Sequence, residues 1–541
     1  MKKVLLGTLS ALLFISCQQP KETADLLVFN ANVYTVDESK PKAEAFVIKD
    51  DKFIAVGSLE EVSKVYSFTD SIDAKGKTVV PGLIDAHCHF YGLGLQQQKV
   101  NLVGTTSYDD VLARIIDFQN KKKVSFITGR GWDQNDWEVK EFPTKEKLDS
   151  LFPEIPVAVT RVDGHAMLVN QATLDLAKIT IDRKVAGGEI IQKEGKLTGI
   201  LIDNPMELVE AIFPQPTVEE QVAALKDAEK INFSYGLTTV DDAGLSPDVI
   251  KVIDSLQKAE ELKIRMYAMV SNVPAYVDYY LKQGVHKTDK LNVSSFKVYA
   301  DGALGSRGAV LKKPYSDKHD HYGAMVIGTK EFKELAVKLA ASPFQMNTHA
   351  IGDSANAVVM NTYYDVLKDK SDRRWRVEHA QVVAPEEFKI LNDNLVMSVQ
   401  PTHATSDMYW ADERLGEERI KGAYAYKQLL NKTGKLALGT DYPVENVSPF
   451  YTFYAAVARK DLKQYPADGF QKEDALTREE TLKGMTIWAA YSNFEESEKG
   501  SITAGKFADF VILEENIMEI SEDKIPNIKV NATYVAGEKV Y

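Results

Sequence analysis

The feature that most constrains the fold is a repeated alternation of strand-like and helix-like segments between residues 79 and 443. From the second strand candidate onward, segments with helical periodicity separate the strands, such as Pro247–Leu262 and Lys330–Ala341. Alternating strands and helices favour a parallel α/β sheet, and eight such units predict a closed (β/α)8 TIM barrel. The strand candidates are Val79–His89, Leu237–Ala243, Ile264–Val270, Ser294–Asp301, Phe344–Ile351, Trp375–Gln381, Val396–His403 and Lys435–Tyr442.

One gap in this alternation is far too long for a simple connection between a strand and a helix. Tyr91 to about Lys230 separates the first strand candidate from the second, and this gap holds apolar runs of its own at Val124–Thr128 and Val157–Arg161. We therefore predict an inserted subdomain, residues 91–230, within a barrel domain that spans residues 81–499.

The two ends of the chain contain short strand-like segments that cannot close a core by themselves. Near the N-terminus these are Ala24–Asn30, Ala45–Lys49 and Lys52–Gly57. Near the C-terminus they are Ala508–Leu513 and the run from Ile528 to Tyr541. We predict that both ends combine in one small β-sandwich domain, residues 25–80 and 500–541.

Residues that can ligate metal ions stand at the ends of the predicted barrel strands. Side chains alternate between the faces of a strand, so His87 and His89 point the same way while Cys88 points away. Alone, this pair is equally consistent with core histidines that satisfy hydrogen bonds. In barrel enzymes, however, functional residues converge where the carboxyl ends of the strands meet. Six candidates could hold one or two divalent ions there: His87, His89, Lys297, His349, His379 and Asp441.

The N-terminal segment and the net charge bear on where the protein acts. Two lysines precede an apolar stretch, Val4–Ile15, which is too short to cross a bilayer and runs into Cys17. Residues 1–17 resemble a bacterial lipoprotein signal that ends at a lipidated Cys17, with a cleaved secretory signal as the alternative. We predict a lipoprotein of the bacterial cell envelope or periplasm, attached to the membrane by its lipid anchor only. The net charge of −13 argues against nucleic acid as a partner.

Several motifs in order along the chain resemble the amidohydrolase superfamily. They are the run Pro81–His89, the later Lys, His, His and Asp at strand ends, and the closing segment Gly500–Asp509. The segments Asp301–Arg307, His349–Asp353 and Glu378–Gln381 are similar to its N-substituted formamide deformylase-like branch, amidohydrolase family 3. The resemblance covers essentially all of the mature chain.

The resemblance implies a role for each predicted ligand. The more buried metal ion would be held by His87, His89 and Asp441. The second ion would be held by His349 and His379. Lys297 would bridge the two ions as a carbamate formed with CO2, because an ammonium group has no lone pair with which to bind a cation. The alternative is a lysine that binds a substrate carboxylate beside a single ion. Zinc is favoured by the His and carboxylate ligands.

The implied reaction is the hydrolysis of a small amide-type C–N bond, as in an N-formyl or N-acyl amine, by a metal-activated hydroxide. Asp441 would be the catalytic residue that takes a proton and passes it to the leaving nitrogen. Four further residues are predicted to contact the substrate: His165, Asp301, Arg307 and His403. Structural alternatives exist, namely a turn for His165, a core hydrogen bond for His403 and a salt bridge between Arg307 and Asp301.

Two other classes of function stay open at this point. The same fold and metals could deaminate a substrate or hydrolyse an ester or a cyclic amide, because fold alone does not select a reaction. A non-catalytic solute-binding lipoprotein is the second class, although such a protein would not need six metal-competent residues at separate strand ends. Whether the chain forms a homo-oligomer is left open.

Overall fold

The computed structural model describes residues 21–185 and 188–541. The predicted lipidation site, Cys17, and the rest of the predicted signal lie outside these residues. Within the two described ranges, no helix combines the length and the apolar character that crossing a bilayer requires.

Eight parallel strands form a nearly closed barrel, which confirms the predicted TIM-barrel architecture. Each barrel strand pairs with the next one along the chain, and a short strand, His286–Lys287, adds to the fourth in the antiparallel direction. The barrel strands, numbered one to eight below, are Leu83–Cys88, Leu237–Leu245, Arg265–Ser271, Leu291–Tyr299, Gln345–Ala350, Trp375–His379, Leu395–Val399 and Leu436–Leu438.

The first predicted strand, Val79–His89, is two strands that belong to different sheets, so the prediction of one continuous strand is wrong. Thr78–Pro81 pairs with Phe510–Leu513 near the C-terminus, whereas the next strand enters the barrel. Gly82 lies between them, and a Cβ atom there would lie 2.2 Å from Thr238 Oγ1. Only glycine fits where the chain passes from one sheet to the other.

The segment after barrel strand eight closes the barrel against strand one. The Asp441 N–H donates to the His87 carbonyl at 2.7 Å, and the His89 N–H donates to the Tyr442 carbonyl at 2.8 Å. The buried carboxylate of Asp85 also accepts hydrogen bonds from the Thr440 N–H and hydroxyl, at 3.0 and 2.7 Å. This seam places the segment that carries Asp441 beside the two histidines of strand one.

Helices cover the outside of the barrel and begin at recognisable signals. The Ser246 hydroxyl accepts the Val249 N–H, and Pro247 occupies the first turn of its helix. The predicted helices at 247–262 and 330–341 are found as Pro247–Lys258 and Thr329–Ala340. The other helices outside residues 90–210 are Leu59–Val65, Val218–Ser234, Pro274–Gln283, Asp353–Leu367, Pro401–Asp407, Ala411–Arg419, Tyr426–Thr433, Pro449–Ala458, Arg478–Gly484 and Ile487–Ser492.

A separate six-stranded sheet lies between barrel strands one and two in the sequence. Its strands, in spatial order, are Gly188–Lys193, Lys196–Asp203, Ala166–Val169, Val157–Arg161, Ile127–Trp132 and Val100–Asn101. The helices of this region are Phe90–Gln96, Tyr108–Lys122, Glu146–Leu151, Gln171–Leu176 and Met206–Glu210. Helix Val218–Ser234 buries Leu225, Ala228 and Phe233 in the barrel core instead. The boundaries 91–230 stay a prediction.

Strands from both chain ends form two further sheets. One contains Lys52–Gly57, Ala45–Lys49, Glu22–Phe29 and Tyr66–Asp73, and the other contains Glu538–Lys539, Val530–Val535, Phe510–Leu513, Thr78–Pro81, Asn32–Tyr34 and Lys42–Ala43. Phe46 of the first sheet packs edge-on against Phe510 of the second, with ring centroids 5.0 Å apart. The assignment of residues 25–80 and 500–541 to a separate sandwich domain stays a prediction.

Candidate metal centre

The predicted ligands gather at the carboxyl-terminal mouth of the barrel. Each of the six lies within the last three residues of a barrel strand or within three residues after its end. Parallel strands bring these positions to the same face, so the spacing along the chain becomes proximity in space. The six residues are His87, His89, Lys297, His349, His379 and Asp441.

Three of these residues form a compact group with ligand atoms within 4.8 Å of one another, namely His87, His89 and Asp441. Asp441 Oδ1 lies 3.2 Å from His89 Nε2 and 3.6 Å from His87 Nε2. The Asp441 backbone has a φ of +62°, which a residue with a side chain rarely adopts. Such backbone strain concentrates at functional sites, where the surrounding structure holds it.

A second group also uses Asp441 and includes a residue that was predicted only as a substrate contact. Ligand atoms of His379, His403 and Asp441 lie within 4.8 Å of one another. His403 Nε2 is 3.6 Å from Asp441 Oδ2, and its ring stacks on that of His379 with centroids 5.7 Å apart. The prediction that His403 lies on strand seven is wrong. That strand ends at Val399, and His403 is in helix Pro401–Asp407.

His349 lies beside this second group without joining a three-residue group of the same kind among the described residues. Its ring centroid is 4.5 Å from that of His379. Its Nε2 atom lies 3.7 Å from Asp301 Oδ1. The assignment of His349 as a metal ligand therefore stays a prediction, now supported by this proximity.

Lys297 is buried at the centre of the site, with 1% of its surface exposed. Its Nζ atom lies 2.9 Å from His87 Nε2. Burial lowers the pKa of Lys297 to about 8, although the negative charges of Glu378 and Asp441 oppose that shift. A larger share of neutral amine than an ordinary lysine has is therefore present near neutral pH.

Glu378, which the sequence singled out only as part of a motif, holds His87 in place. Its Oε2 atom lies 2.5 Å from His87 Nδ1, and both side chains are fully buried. A carboxylate on one ring nitrogen fixes the tautomer and leaves the other nitrogen to bind a metal ion. Arg376 in turn donates to Glu378 Oε1 at 2.7 Å and to Asp241 Oδ2 at 2.7 Å. The contacts of Glu378 with His87 and of Arg376 with Asp241 cross the barrel, and no local sequence signal points to them.

Three histidines at the mouth, His87, His349 and His379, are neutral at physiological pH. Burial lowers the pKa of His87 to about 4 and that of His349 to about 3, and the charge of Lys297 adds to both shifts. Burial also lowers the pKa of His379 well below its usual range. Neutral imidazole is the form that binds metal ions, so the electrostatic surroundings suit ligation.

The atoms at the mouth fit a divalent cation. Burial acts to raise the pKa of Asp441, but the side chain of His89, 3.2 Å away, and the neighbouring imidazoles hold that pKa well below its usual range. A charged carboxylate therefore stands among imidazole rings. Four atoms here are buried and have no hydrogen-bond partner among the described residues: His349 Nε2, His379 Nδ1, His403 Nε2 and Asp441 Oδ1. Unpaired buried acceptors are costly unless something binds them.

The remaining predicted substrate contacts have other partners. Arg307 pairs with Asp317 at 2.7 Å, so the alternative pairing with Asp301 is wrong. Asp301 is buried, and its carboxylate accepts hydrogen bonds from the backbone N–H groups of Val310, Ile351 and Gly352. His165 has a largely exposed side chain, and its Nδ1 lies 2.8 Å from Asp203 Oδ1. A substrate contact of these three residues stays a prediction.

Comparison with known proteins identifies the family. A family model described as "Amidohydrolase family" matches residues 70–541, which is most of the chain. The chain belongs to the amidohydrolase family. The match begins at the N-terminal sheets and runs through the barrel to the last residue, so it includes every predicted metal ligand.

Relatives of this amidohydrolase match it over more than nine-tenths of its length. The protein LONG AFTER FAR-RED 3 of Arabidopsis thaliana is 34% identical, over 96% of this chain and 92% of its own. An N-substituted formamide deformylase of Arthrobacter pascens is 24% identical, over 95% and 97% of the two chains. The crystal structure of an uncharacterised metal-dependent hydrolase from Pyrococcus horikoshii OT3 superposes with a TM-score of 0.76 at 28% identity, covering 92% of this chain and 99% of the other.

Proposed function

We propose that this amidohydrolase uses divalent metal ions, zinc foremost, to hydrolyse the C–N bond of a small N-formyl or N-acyl amine. The observation that carries the proposal is the convergence of two candidate ligand groups on one carboxylate, that of Asp441, at the mouth of the barrel. The similarity to an N-substituted formamide deformylase over nearly the full length of both chains supports the choice of substrate class.

The proposed ligands divide between two ions. His87, His89 and Asp441 would hold one ion, and His379 and His349 would hold the other, with His403 as a further candidate beside Asp441. Bound divalent ions supply Lewis acidity, which polarises a carbonyl group and makes water a stronger acid.

Lys297 is proposed to carry a carbamate. The ammonium group first loses one proton, and the neutral amine then forms an N–C bond with CO2 and releases a second proton. A carbamate with one negative charge and two oxygen donors thus replaces the positive charge. The burial of Lys297 beside His87 supports this modification, because an uncompensated ammonium group is costly there. If the lysine is unmodified, it is the positive charge that binds a substrate carboxylate beside a single ion.

The chain's own residues then orient the reactants and move one proton. Glu378 holds the Nδ1 side of the His87 ring, so that the Nε2 atom of His87 faces the metal centre. Asp441 accepts a proton from the attacking water, whose oxygen bonds to the carbonyl carbon. As the C–N bond breaks, Asp441 returns that proton to the leaving nitrogen, so the products are a carboxylic acid and an amine.

We also propose that the protein is exported and attached to a membrane through a lipid on Cys17, with no nucleic acid partner. The sequence of residues 1–17 and the net charge of −13 support this part of the proposal.

The test begins with the purified full-length protein. Metal content is measured by plasma mass spectrometry, and hydrolysis is measured on N-benzylformamide, N-benzylacetamide, benzyl acetate and a cyclic imide. We expect about two ions per chain and turnover of the two amides. His349→Ala and Asp441→Asn should lower kcat by about 10²–10⁴-fold if they remove ligation and proton transfer. His286→Ala, at a half-exposed histidine next to Asp254, is the matched control and should behave as the wild type.

The outcomes distinguish the hypotheses. One ion per chain would assign Lys297 to the substrate carboxylate and favour a deaminase-like reaction. If the enzyme hydrolyses the ester or the imide but neither amide, the substrate class is an ester or a cyclic imide instead of a linear amide. A chain that takes up no metal when metal is supplied would refute the hydrolase proposal in favour of solute binding.

A further inference from the structure

Tyr299 stands at the mouth of the barrel, two residues beyond Lys297 at the end of strand four. Alternate residues of a strand share a face, so both side chains lie on the inner face, while Val298 is buried on the other. The Tyr299 ring centroid lies 5.0 Å from Lys297 Nζ and 5.5 Å from the centroid of the His349 ring. Tyr299 therefore borders two predicted ligands, yet 43% of its surface is exposed, against 1% for Lys297.

The hydroxyl of Tyr299 differs from those of the fully buried tyrosines. It makes no hydrogen bond with any other residue in the described part of the chain, 21–185 and 188–541. A hydroxyl without a protein partner that opens to solvent is free to bind a ligand. Seven fully buried tyrosines do have a protein partner for their hydroxyl: Tyr267, Tyr315, Tyr363, Tyr424, Tyr426, Tyr442 and Tyr454.

Gly244 of strand two leaves a gap beside this hydroxyl. Its φ of +120° is one that glycine adopts readily and that other residues avoid. A Cβ atom at this position would lie 3.5 Å from Ser271 Oγ, 3.8 Å from the Tyr299 hydroxyl oxygen and 3.9 Å from Lys297 Cγ. The Ser271 hydroxyl also has no hydrogen-bond partner among the described residues. Two unpaired hydroxyls therefore border an open space next to the stem of Lys297.

We infer that the Tyr299 hydroxyl donates a hydrogen bond to the carbonyl oxygen of the bond that is cleaved. This inference rests on the proposed function, since it assigns a residue to that same reaction. When water adds to the carbonyl carbon, negative charge develops on the oxygen, and a donor fixed in advance stabilises that charge. The contacts of the tyrosine ring with Lys297 and His349 provide the fixed position, and the gap at Gly244 provides the room.

The test compares Tyr299→Phe, which removes only the hydroxyl oxygen, with the wild type and with Tyr364→Phe. Tyr364 has the same exposed fraction, 43%, but lies on the outer helix Asp353–Leu367. We expect Tyr299→Phe to lower kcat for N-benzylacetamide by about 10²–10³-fold, the effect of losing one such donor. KM and the metal content per chain should stay within twofold of the wild type, and Tyr364→Phe should change none of these quantities.

A binding measurement provides a readout that does not depend on turnover. The N-benzyl amide of methylphosphonic acid imitates the tetrahedral state, and its affinity is measured by calorimetry for the metal-loaded proteins. Tyr299→Phe should weaken the binding of this analogue at least tenfold. If the enzyme is active but Tyr299→Phe changes neither kcat nor the affinity for the analogue, the inference is overturned and the proposed function is not. A wild type that hydrolyses no amide would overturn the proposed function, and the inference with it. A loss of metal from Tyr299→Phe would also overturn the inference, because the role would then be structural.

Discussion

Replacing Arg376 by methionine tests whether the charges behind His87 support the fold as well as the site. The Arg376 side chain is fully buried and donates to the two buried carboxylates of Glu378 and Asp241. It also donates at 3.0 Å to Asn493 Oδ1 and at 3.0 Å to Ser398 Oγ. Methionine fills a similar volume but leaves both carboxylates without their cation.

We expect Arg376→Met to lower the free energy of unfolding by about 3–5 kcal/mol, the range for breaking one partner out of a buried ion pair. The loss of unfolding free energy should not be twice this value, although two carboxylates lose their cation. Burial already raises the pKa of Asp241 to about 7, so Asp241 can take up a proton once Arg376 is gone. Glu378 keeps its contact with His87 Nδ1.

The raised pKa of Asp241 also fixes the sign of a pH effect on stability. A carboxyl whose pKa is higher in the folded state than in the unfolded state stabilises the fold at low pH and less as the pH rises. Without Arg376, which lowers the pKa of Asp241, the pKa in the folded state rises further. The loss of unfolding free energy caused by Arg376→Met should therefore be larger at pH 8 than at pH 6.

Urea unfolding followed by tryptophan fluorescence measures this deficit, since Trp375 is buried next to the substituted position. Arg307→Met is the control, because Arg307 belongs to a partly exposed pair and its loss should shift the midpoint much less. Adding Asp241→Asn and Glu378→Gln to Arg376→Met should recover part of the stability, since no buried charge is then left unpaired. Equal midpoints for Arg376→Met and Arg307→Met would refute the reasoning.

Two further changes test the metal centre. Glu378→Gln should weaken metal binding about 10–100-fold in competition with a chelator, because His87 loses the carboxylate that orients it. Glu386→Gln, at an exposed glutamate, is its control. If Glu378→Gln binds metal as tightly as Glu386→Gln, Glu378 does not support metal binding by His87. Lys297→Ala should lower the metal content from about two ions to one, and a short carboxylic acid added with metal should restore it. Metal content that does not respond to Lys297→Ala would contradict the carbamate bridge.

The strand order and the place of the site could be predicted because both depend on short-range patterns. Apolar runs of strand length, separated by helical periodicity, located all eight barrel strands to within a few residues, and the barrel topology then placed the strand ends together. His87, His89 and Asp441 meet as predicted, since they occupy such ends. Boundaries failed where two sheets share one apolar run, as at Gly82, because periodicity does not reveal which sheet a strand joins.

Pairings between distant side chains could not be predicted from these patterns. Glu378 contacts His87 across the barrel, and Arg307 contacts Asp317 rather than Asp301. The sequence pattern predicts His403 on strand seven, but the chain turns into helix Pro401–Asp407, and the ring of His403 lies near His379 and Asp441. Each of these contacts depends on loop paths and side-chain directions, which composition and spacing leave undetermined.

The seam that closes the barrel also sets the order in which the site is completed during synthesis. Asp85 and Thr440, which bond across that seam, are 355 residues apart in the chain. At a translation rate of about 5–20 residues per second, strand one leaves the ribosome roughly 20–70 s before the segment that pairs with it. For that period strand one presents an unpaired edge, of the kind that recruits unwanted partners. We therefore expect the strand that carries His87 to be the most exposed part of the nascent barrel until the segment with Asp441 is synthesised.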